Sequence, residues 1–264
     1  MTISRRDLLQ ALGAGAALLP IGACGSSPAT ASPDAPEHDA PPGSGWASGG
    51  TAAMTDKASY PDPFAVAVTS CPLVVRATTA GPCTADAPVR VDVSEGYPGI
   101  PIRLALRLVT QGACTPIANA QVEIWHTQVT GVYSGETPSP GFCSGGDAEA
   151  PTKSYFRGTQ TTDADGRVAF DTCFPGWYPG RAIHIHFRVI VGGTSTLVSQ
   201  LFFDQGLVDE IFARHPDYAP EGAPDTSNAA DGVARGAGAL APYLLDTARM
   251  TDGAMLASKT LALA

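Results

Sequence analysis

The sequence predicts an all-β domain, a β-sandwich made of short strands and long loops. Three observations lead there. Gly (29) and Pro (23) are abundant among 264 residues while only 16% are charged, which excludes coiled coils and helical bundles, both of which need Glu, Lys, Leu and Ala at helical spacing. Apolar residues alternate with polar ones in several short runs, the period of a half-buried strand. Turn signals separate those runs at short intervals. The net charge of −9 argues against a nucleic-acid partner, whose phosphates demand a basic face.

The elements follow in order. Ile102, Leu104, Leu106 and Leu108 alternate with Arg103, Ala105, Arg107 and Val109 in a first strand. Gln121–His126 repeats the pattern. Residues 158–162 and 167–170 flank Asp163-Ala164-Asp165-Gly166, which reads as a β-hairpin. A β-rich run covers Ile183–Val191, and Leu197–Phe203 follows the Gly192-Gly193 turn. Asp209–Arg214 is the one expected short helix. Tyr243–Met250, a Thr-Asp-Gly turn and Ala254–Leu263 suggest a last hairpin.

Ahead of this lies an address. Met1–Cys24 carries Arg5-Arg6 before Leu8-Leu9, then an apolar run from Ala11 to Ile21. That pattern matches a twin-arginine export signal. Ile21-Gly22-Ala23-Cys24 matches a lipobox, with Cys24 as the lipidated residue. The run is too short and too rich in Gly and Ala for a transmembrane helix, and no other stretch is long enough to span a bilayer. Residues 25–59 are Pro, Ala, Gly and Ser with almost no apolar anchor, a disordered tether, so the folded domain is expected at 60–264. Export to the periplasm or cell surface makes disulfides the default. Cys71, Cys83, Cys114, Cys143 and Cys173 remain after Cys24; an odd number leaves one free, and Cys143–Cys173 is the expected bridge. No CxxC occurs, which disfavours a zinc knuckle.

The chemistry concentrates in 173–187. In a strand His184 and His186 share one face, with Ile183, Ile185 and Phe187 on the other. Two imidazoles so placed make a metal clamp, or else a pair of surface or hydrogen-bonded histidines. Only His215 follows, so a cupin-like set is incomplete, and nothing singles out His126 as a zinc ligand. Tyr178 and Tyr133 are the better complements, because phenolate is a hard anionic donor suited to a trivalent ion.

The folded part resembles the intradiol ring-cleavage dioxygenases. The resemblance is carried by Gly81-Pro82, by Pro116 through Trp125-His126, by Gly131-Val132-Tyr133-Ser134-Gly135 and by Phe156-Arg157-Gly158. It continues through Thr162–Gly166, Pro175-Gly176-Trp177-Tyr178, Arg181-Ala182-Ile183-His184-Ile185-His186-Phe187 and Gln200–Phe203, in the family's order. Asp225–Gly232 looks like the exported branch. The resemblance implies a transthyretin-like (prealbumin-like) β-sandwich core and a mononuclear non-haem Fe(III) held by Tyr133, Tyr178, His184 and His186. It implies Tyr133, Arg181 and Gln200 as the catalytic set: a tyrosinate taking a substrate proton, a cation stabilising developing charge, and a polar pocket group. The implied reaction opens a catechol-type diol between its hydroxylated carbons with O2, to muconate-type products. The rival reading is a surface-anchored binding module of the same shape without iron. Substrate choice is expected in the loops around 80–100 and 134–157.

Three positions depart from the family. Cys83 replaces an aromatic residue after Gly-Pro, which puts a pocket wall in doubt. Thr127 stands where the exported branch often has Cys after Trp-His, and Cys173 where relatives commonly have an apolar residue. The helical N-terminal dimerisation region of the cytoplasmic catechol enzymes has no counterpart in this sequence.

Overall fold

The computed structural model describes residues 45–71 and 76–263. The signal, the lipid site and the tether up to residue 44 lie outside the described residues.

Two four-stranded sheets enclose one apolar core. The first has the order β4-β1-β8-β7, built from β1 (Pro101–Thr110), β4 (Arg167–Cys173), β7 (Asp246–Arg249) and β8 (Met255–Leu263). The second has the order β3-β2-β5-β6, built from β2 (Gln121–Trp125), β3 (Arg157–Thr161), β5 (His184–Val191) and β6 (Thr194–Phe202). Period 2 sorts the side chains as expected. Ile102, Leu104, Leu106 and Leu108 of β1 face Val122, Ile124, Ile185, Phe187 and Val189 of the second sheet in a single buried cluster. The helices are α1 (Pro140–Cys143), α2 (Gln205–Arg214) and α3 (Gly232–Gly236). α2 starts four residues earlier than anticipated because Asp204 caps it, accepting from the Leu207 N–H. Its end falls before His215-Pro216, where proline disfavours helix in the residue ahead of it.

Three expectations need correction. Residues 157–161 and 167–173 do not form a hairpin. The turn closes at Asp163–Gly166, with the Gly166 N–H on the Asp163 carbonyl, but β3 pairs with β2 and β4 with β1, so the chain crosses from one sheet to the other. The turn chemistry is local, whereas the choice of partner is made by apolar faces far apart in sequence. The last strand also pairs parallel with β1, from Ile102↔Met255 to Thr110↔Leu263.

Second, the tether assignment fails for 45–59. Trp46 packs against the core, the Gly50 N–H reaches the Gly99 carbonyl, and Lys57 joins Arg103 on the buried Asp171 at 2.7 and 2.6 Å. At Gly50 (φ +73°) a Cβ would lie 2.5 Å from the Tyr97 carbonyl oxygen, so only glycine lets the strap lie this close. Farther along, Phe64 sits under the guanidinium groups of Arg107 and Arg167. These long-range contacts leave no periodic trace in a Pro- and Gly-rich segment.

Third, the bridges are Cys71–Cys114 and Cys83–Cys143, and Cys173 is free. Cys173 ends β4 within the main core, whereas Cys143 belongs to a separate apolar cluster beside Tyr133, so the expected Cys143–Cys173 pair does not meet.

His126 is structural. It is fully buried, stacked on Phe156 at 4.7 Å, with Nε2 2.7 Å from the Thr172 hydroxyl and Nδ1 2.8 Å from the Thr127 carbonyl. The carbonyl can only accept, so Nδ1 carries the proton. Burial holds the pKa down at about 4 against an ordinary 6.5. Between those values the unfolded chain binds a proton that the native state does not, so stability is full above about pH 6.5 and falls towards pH 4. At about 1.4 kcal/mol per pH unit per proton, the expected loss is a few kcal/mol. Urea unfolding across that range checks it; a His126→Asn variant, weaker overall, should show a shallower slope, and an unchanged slope would remove His126 as the source.

Candidate functional site

The site lies on the outer face of the second sheet, opposite the core. Register aligns Trp125 of β2, His186 of β5 and Gln200 of β6 in one row across three strands. The His186 ring stacks on the Trp125 indole at 4.7 Å, 8° from parallel. His184, two residues back, points the same way.

The two tyrosines arrive from loops. Tyr133 follows β2, and Gly131 (φ +77°) lets that loop press against 177–178: a Cβ there would sit 1.9 Å from the Trp177 carbonyl oxygen. Tyr178 comes from the segment after β4, tied back by the Thr127 hydroxyl donating to the Gly176 carbonyl at 2.6 Å. Thr127, one of the departures noted above, thus makes a buried hydrogen bond where a cysteine S–H would donate only weakly, and Cys114 bridges to Cys71 instead. Cys83, another departure, bonds to Cys143 in the same apolar cluster as Trp125 and Tyr133.

Four donor atoms converge. The Tyr133 and Tyr178 oxygens are 3.5 Å apart, and both approach His184 Nε2, at 3.4 and 3.3 Å. His184 Nε2 lies 3.1 Å from His186 Nε2. His184 Nδ1 donates to the Ala182 carbonyl at 2.6 Å, so its Nε2 is the free lone pair aimed into the cluster. The Thr79 backbone lies near His186, though no hydrogen bond closes on Nδ1. Burial, reinforced by neighbouring positive charge, drives both imidazole pKa values down, to about 3 for His184, so both are neutral ligands at neutral pH. Burial raises both phenols above their ordinary value. On their own they stay protonated; a highly charged cation among them is what would make phenolate favourable. Ligands held about 2 Å from a common ion stand roughly 3 to 3.4 Å from one another, which matches these spacings. Among the described residues, no group of three or more His, Cys, Asp and Glu gathers as a metal set; the other donors beside the two imidazoles are the phenol oxygens.

Arg181 borders the cluster. Its guanidinium lies 3.4 Å from the Tyr178 oxygen, contacts the Gln200 side-chain oxygen, and pairs with Asp231 at 2.8 Å. Gln200 is fully buried and donates to the Thr79 carbonyl. Every residue singled out from the sequence, Tyr133, Tyr178, Arg181, His184, His186 and Gln200, therefore meets in one place, while His126 and His215 lie elsewhere.

The chain from residue 77 to 218 matches the family model described as Dioxygenase. It belongs to the intradiol ring-cleavage dioxygenase family. Over 122 residues it is 29% identical to a chlorocatechol 1,2-dioxygenase of Pseudomonas sp. strain P51, covering 38% of this chain and 44% of that one. Over 112 residues it is 29% identical to a catechol 1,2-dioxygenase of Candida albicans, covering 36% and 34%. The match thus spans less than half the length of these curated relatives. Among solved structures, an intradiol ring-cleavage dioxygenase from Tetranychus urticae superposes with a TM-score of 0.63 at 28% identity, covering 72% of this chain and 94% of the other.

Sequence reasoning missed two residues of this site. Asp231, fully buried, accepts from Arg181 Nε and from the Ala182, Val233 and Ala234 N–H groups. Its position before Gly232-Val233-Ala234 is an N-cap signal, but nothing in the sequence says that it reaches back to Arg181. Arg157 is also buried, clamping the Ser134 and Cys83 carbonyls, with its guanidinium carbon 6.0 Å from the Tyr133 ring. It fixes the loop that carries Tyr133.

Proposed function

We propose that this chain is an Fe(III)-dependent dioxygenase that opens catechol-type rings between the two hydroxylated carbons, placing both atoms of O2 in a muconate-type diacid. The observation that carries this reading is the gathering of two phenol oxygens and the His186 imidazole around His184 Nε2, at 3.4, 3.3 and 3.1 Å, beside a guanidinium held by Asp231. That donor set suits a hard trivalent ion, and Tyr133, Tyr178, His184 and His186 would hold it. When bound, the iron supplies the Lewis acidity that draws the diol in as its dianion and renders the ring reactive to O2.

The protein's own groups then have definite tasks. The tyrosine oxygens accept protons as the diol ionises. Tyr178 is the half-buried one of the four donors and first meets the substrate; Tyr133, 3.5 Å away, is placed to share the proton. Arg181 faces the same space and stabilises negative charge developing on the ring oxygens, and Gln200 fixes its guanidinium from the other side. Trp125 packs on His186 and Phe202 lies beside His184, so both imidazoles are buried from solvent.

Export and lipid anchoring at Cys24 form part of the proposal. The twin-arginine pattern and two disulfides support an oxidising compartment; membrane fractionation of cells carrying Cys24→Ser tests it. The functional test is direct. The purified protein should carry about one iron, absorb visible light as a red to purple solution, and consume O2 with catechol, protocatechuate or hydroxyquinol. A colourless protein that stays colourless and inactive after Fe(III) loading would favour the iron-free binding module instead.

A further inference from the structure

Three of the four donor residues, Tyr133, His184 and His186, are buried. Only Tyr178 is half-buried, so a substrate reaches the cluster past Tyr178. Arg181 meets the Tyr178 oxygen at 3.4 Å. Phe142 meets the Tyr178 ring edge-on, at 5.8 Å and 89°. Phe142 is 56% exposed, so the fold makes little use of it as core. Its position is nonetheless closely held. The next residue, Cys143, is buried and bridged to Cys83, and its carbonyl accepts from the Tyr133 N–H at 2.9 Å. The loop leading to Cys83 includes Gly81, which faces the His186 ring. An exposed aromatic ring is thus pinned at a fixed place against one candidate ligand by a bridge whose other end belongs to the loop over a second.

We propose that Phe142 is the specificity-determining wall of the entrance, on which the ring of the incoming diol packs while its hydroxyls reach the Tyr178 side of the cluster. The Cys83–Cys143 bridge acts as its positioning device. This rests on the dioxygenase reading above and narrows it. A phenyl wall rewards an apolar ring and penalises a charged group turned towards it, which must shed water without a partner. The substrate class that follows is catechol or an alkyl-substituted catechol rather than a carboxylated diol.

The test titrates iron-loaded full-length protein with catechol, 4-methylcatechol and protocatechuate, following the visible band, and measures steady-state KM and kcat alongside. Phe142→Ala should retain its iron and colour yet bind catechol roughly tenfold more weakly, with KM rising in step and kcat nearly held. Phe142→Tyr, which keeps the ring, should restore most of the affinity; the rise in KM with colour and kcat held is what loss of a merely structural contact against a ligand would not predict. Cys83→Ser combined with Cys143→Ser should raise KM in the same direction, with the colour kept. Catechol affinity within twofold of wild type in Phe142→Ala, bleaching of that variant, or tightest wild-type binding to protocatechuate would each overturn the proposal while leaving the dioxygenase reading intact. A wild-type protein without iron, colour or O2 uptake would overturn both.

Discussion

Under the proposed ferric-iron function, His186→Ala is expected to empty the site of iron, bleach the protein and reduce ring cleavage by more than 100-fold. Loss of a partner behind a metal ligand already costs about 10–100-fold in affinity or activity, so loss of the ligand itself should cost more. The geometry explains why no neighbour substitutes. His186 Nε2 stands 3.1 Å from His184 Nε2, and its ring is set by the Trp125 stack. His184 is locked by its bond to Ala182, and Gln200, next across the register, is engaged by Arg181 and Thr79. His126 provides the matched control: it is equally buried and close in sequence to the loop of Tyr133, but turned to Thr172. His126→Asn should lower stability yet keep iron per folded molecule. The measurements are metal content, visible absorbance and O2 uptake on the folded fraction. Normal iron in His186→Ala would remove His186 from the ligand set; iron loss in both variants would mean the metal follows global stability.

The two histidines could be read from the sequence because a strand puts alternate residues on one face, and β5 obeys that rule: Ile185 and Phe187 enter the core while His184 and His186 face outward. The tyrosines were legible only through the family resemblance, since a phenol in a loop has no periodicity to mark it. What brings them together is backbone contact, such as Gly131 against Trp177, between segments some 45 residues apart. Strand existence was similarly visible in β1 and β2, whereas partner choice was not. The turn at Asp163–Gly166 looks the same whether the chain folds back on its own strand or crosses to the facing sheet. The cysteine pairing failed for a related reason: Cys143 and Cys173 end up in different apolar clusters, a separation that spacing does not encode. Phe142 and Asp231 went unassigned because their roles are contacts made 36 and 50 positions away.

Asp231 gives the second large expected effect. Its carboxylate does two jobs: one oxygen caps α3 through the Val233 and Ala234 N–H groups, and the other holds Arg181 Nε and the Ala182 N–H. Burial pushes its pKa up, but the N–H groups of Ala234 and Ala182 and the Arg181 guanidinium outweigh that and hold it below the ordinary carboxylate range. Its contribution to stability is therefore present above about pH 4 and lost as pH falls below it. Asp231→Ala removes both jobs and leaves a mostly buried guanidinium unpaired, a loss expected at about 3–5 kcal/mol. Asp231→Asn separates them. The amide oxygen can still cap α3, while its NH2 group faces two donors and cannot accept from Arg181. That variant should fold and keep its iron and colour, but kcat should fall by about 10–100-fold with a smaller change in KM, because Arg181 would no longer be aimed at the charge that develops on the ring oxygens. Wild-type kcat in Asp231→Asn would show that Gln200 alone orients Arg181. A large rise in KM with kcat unchanged would instead assign Arg181 to substrate capture, since an interaction made equally in ground and transition states moves KM and not kcat.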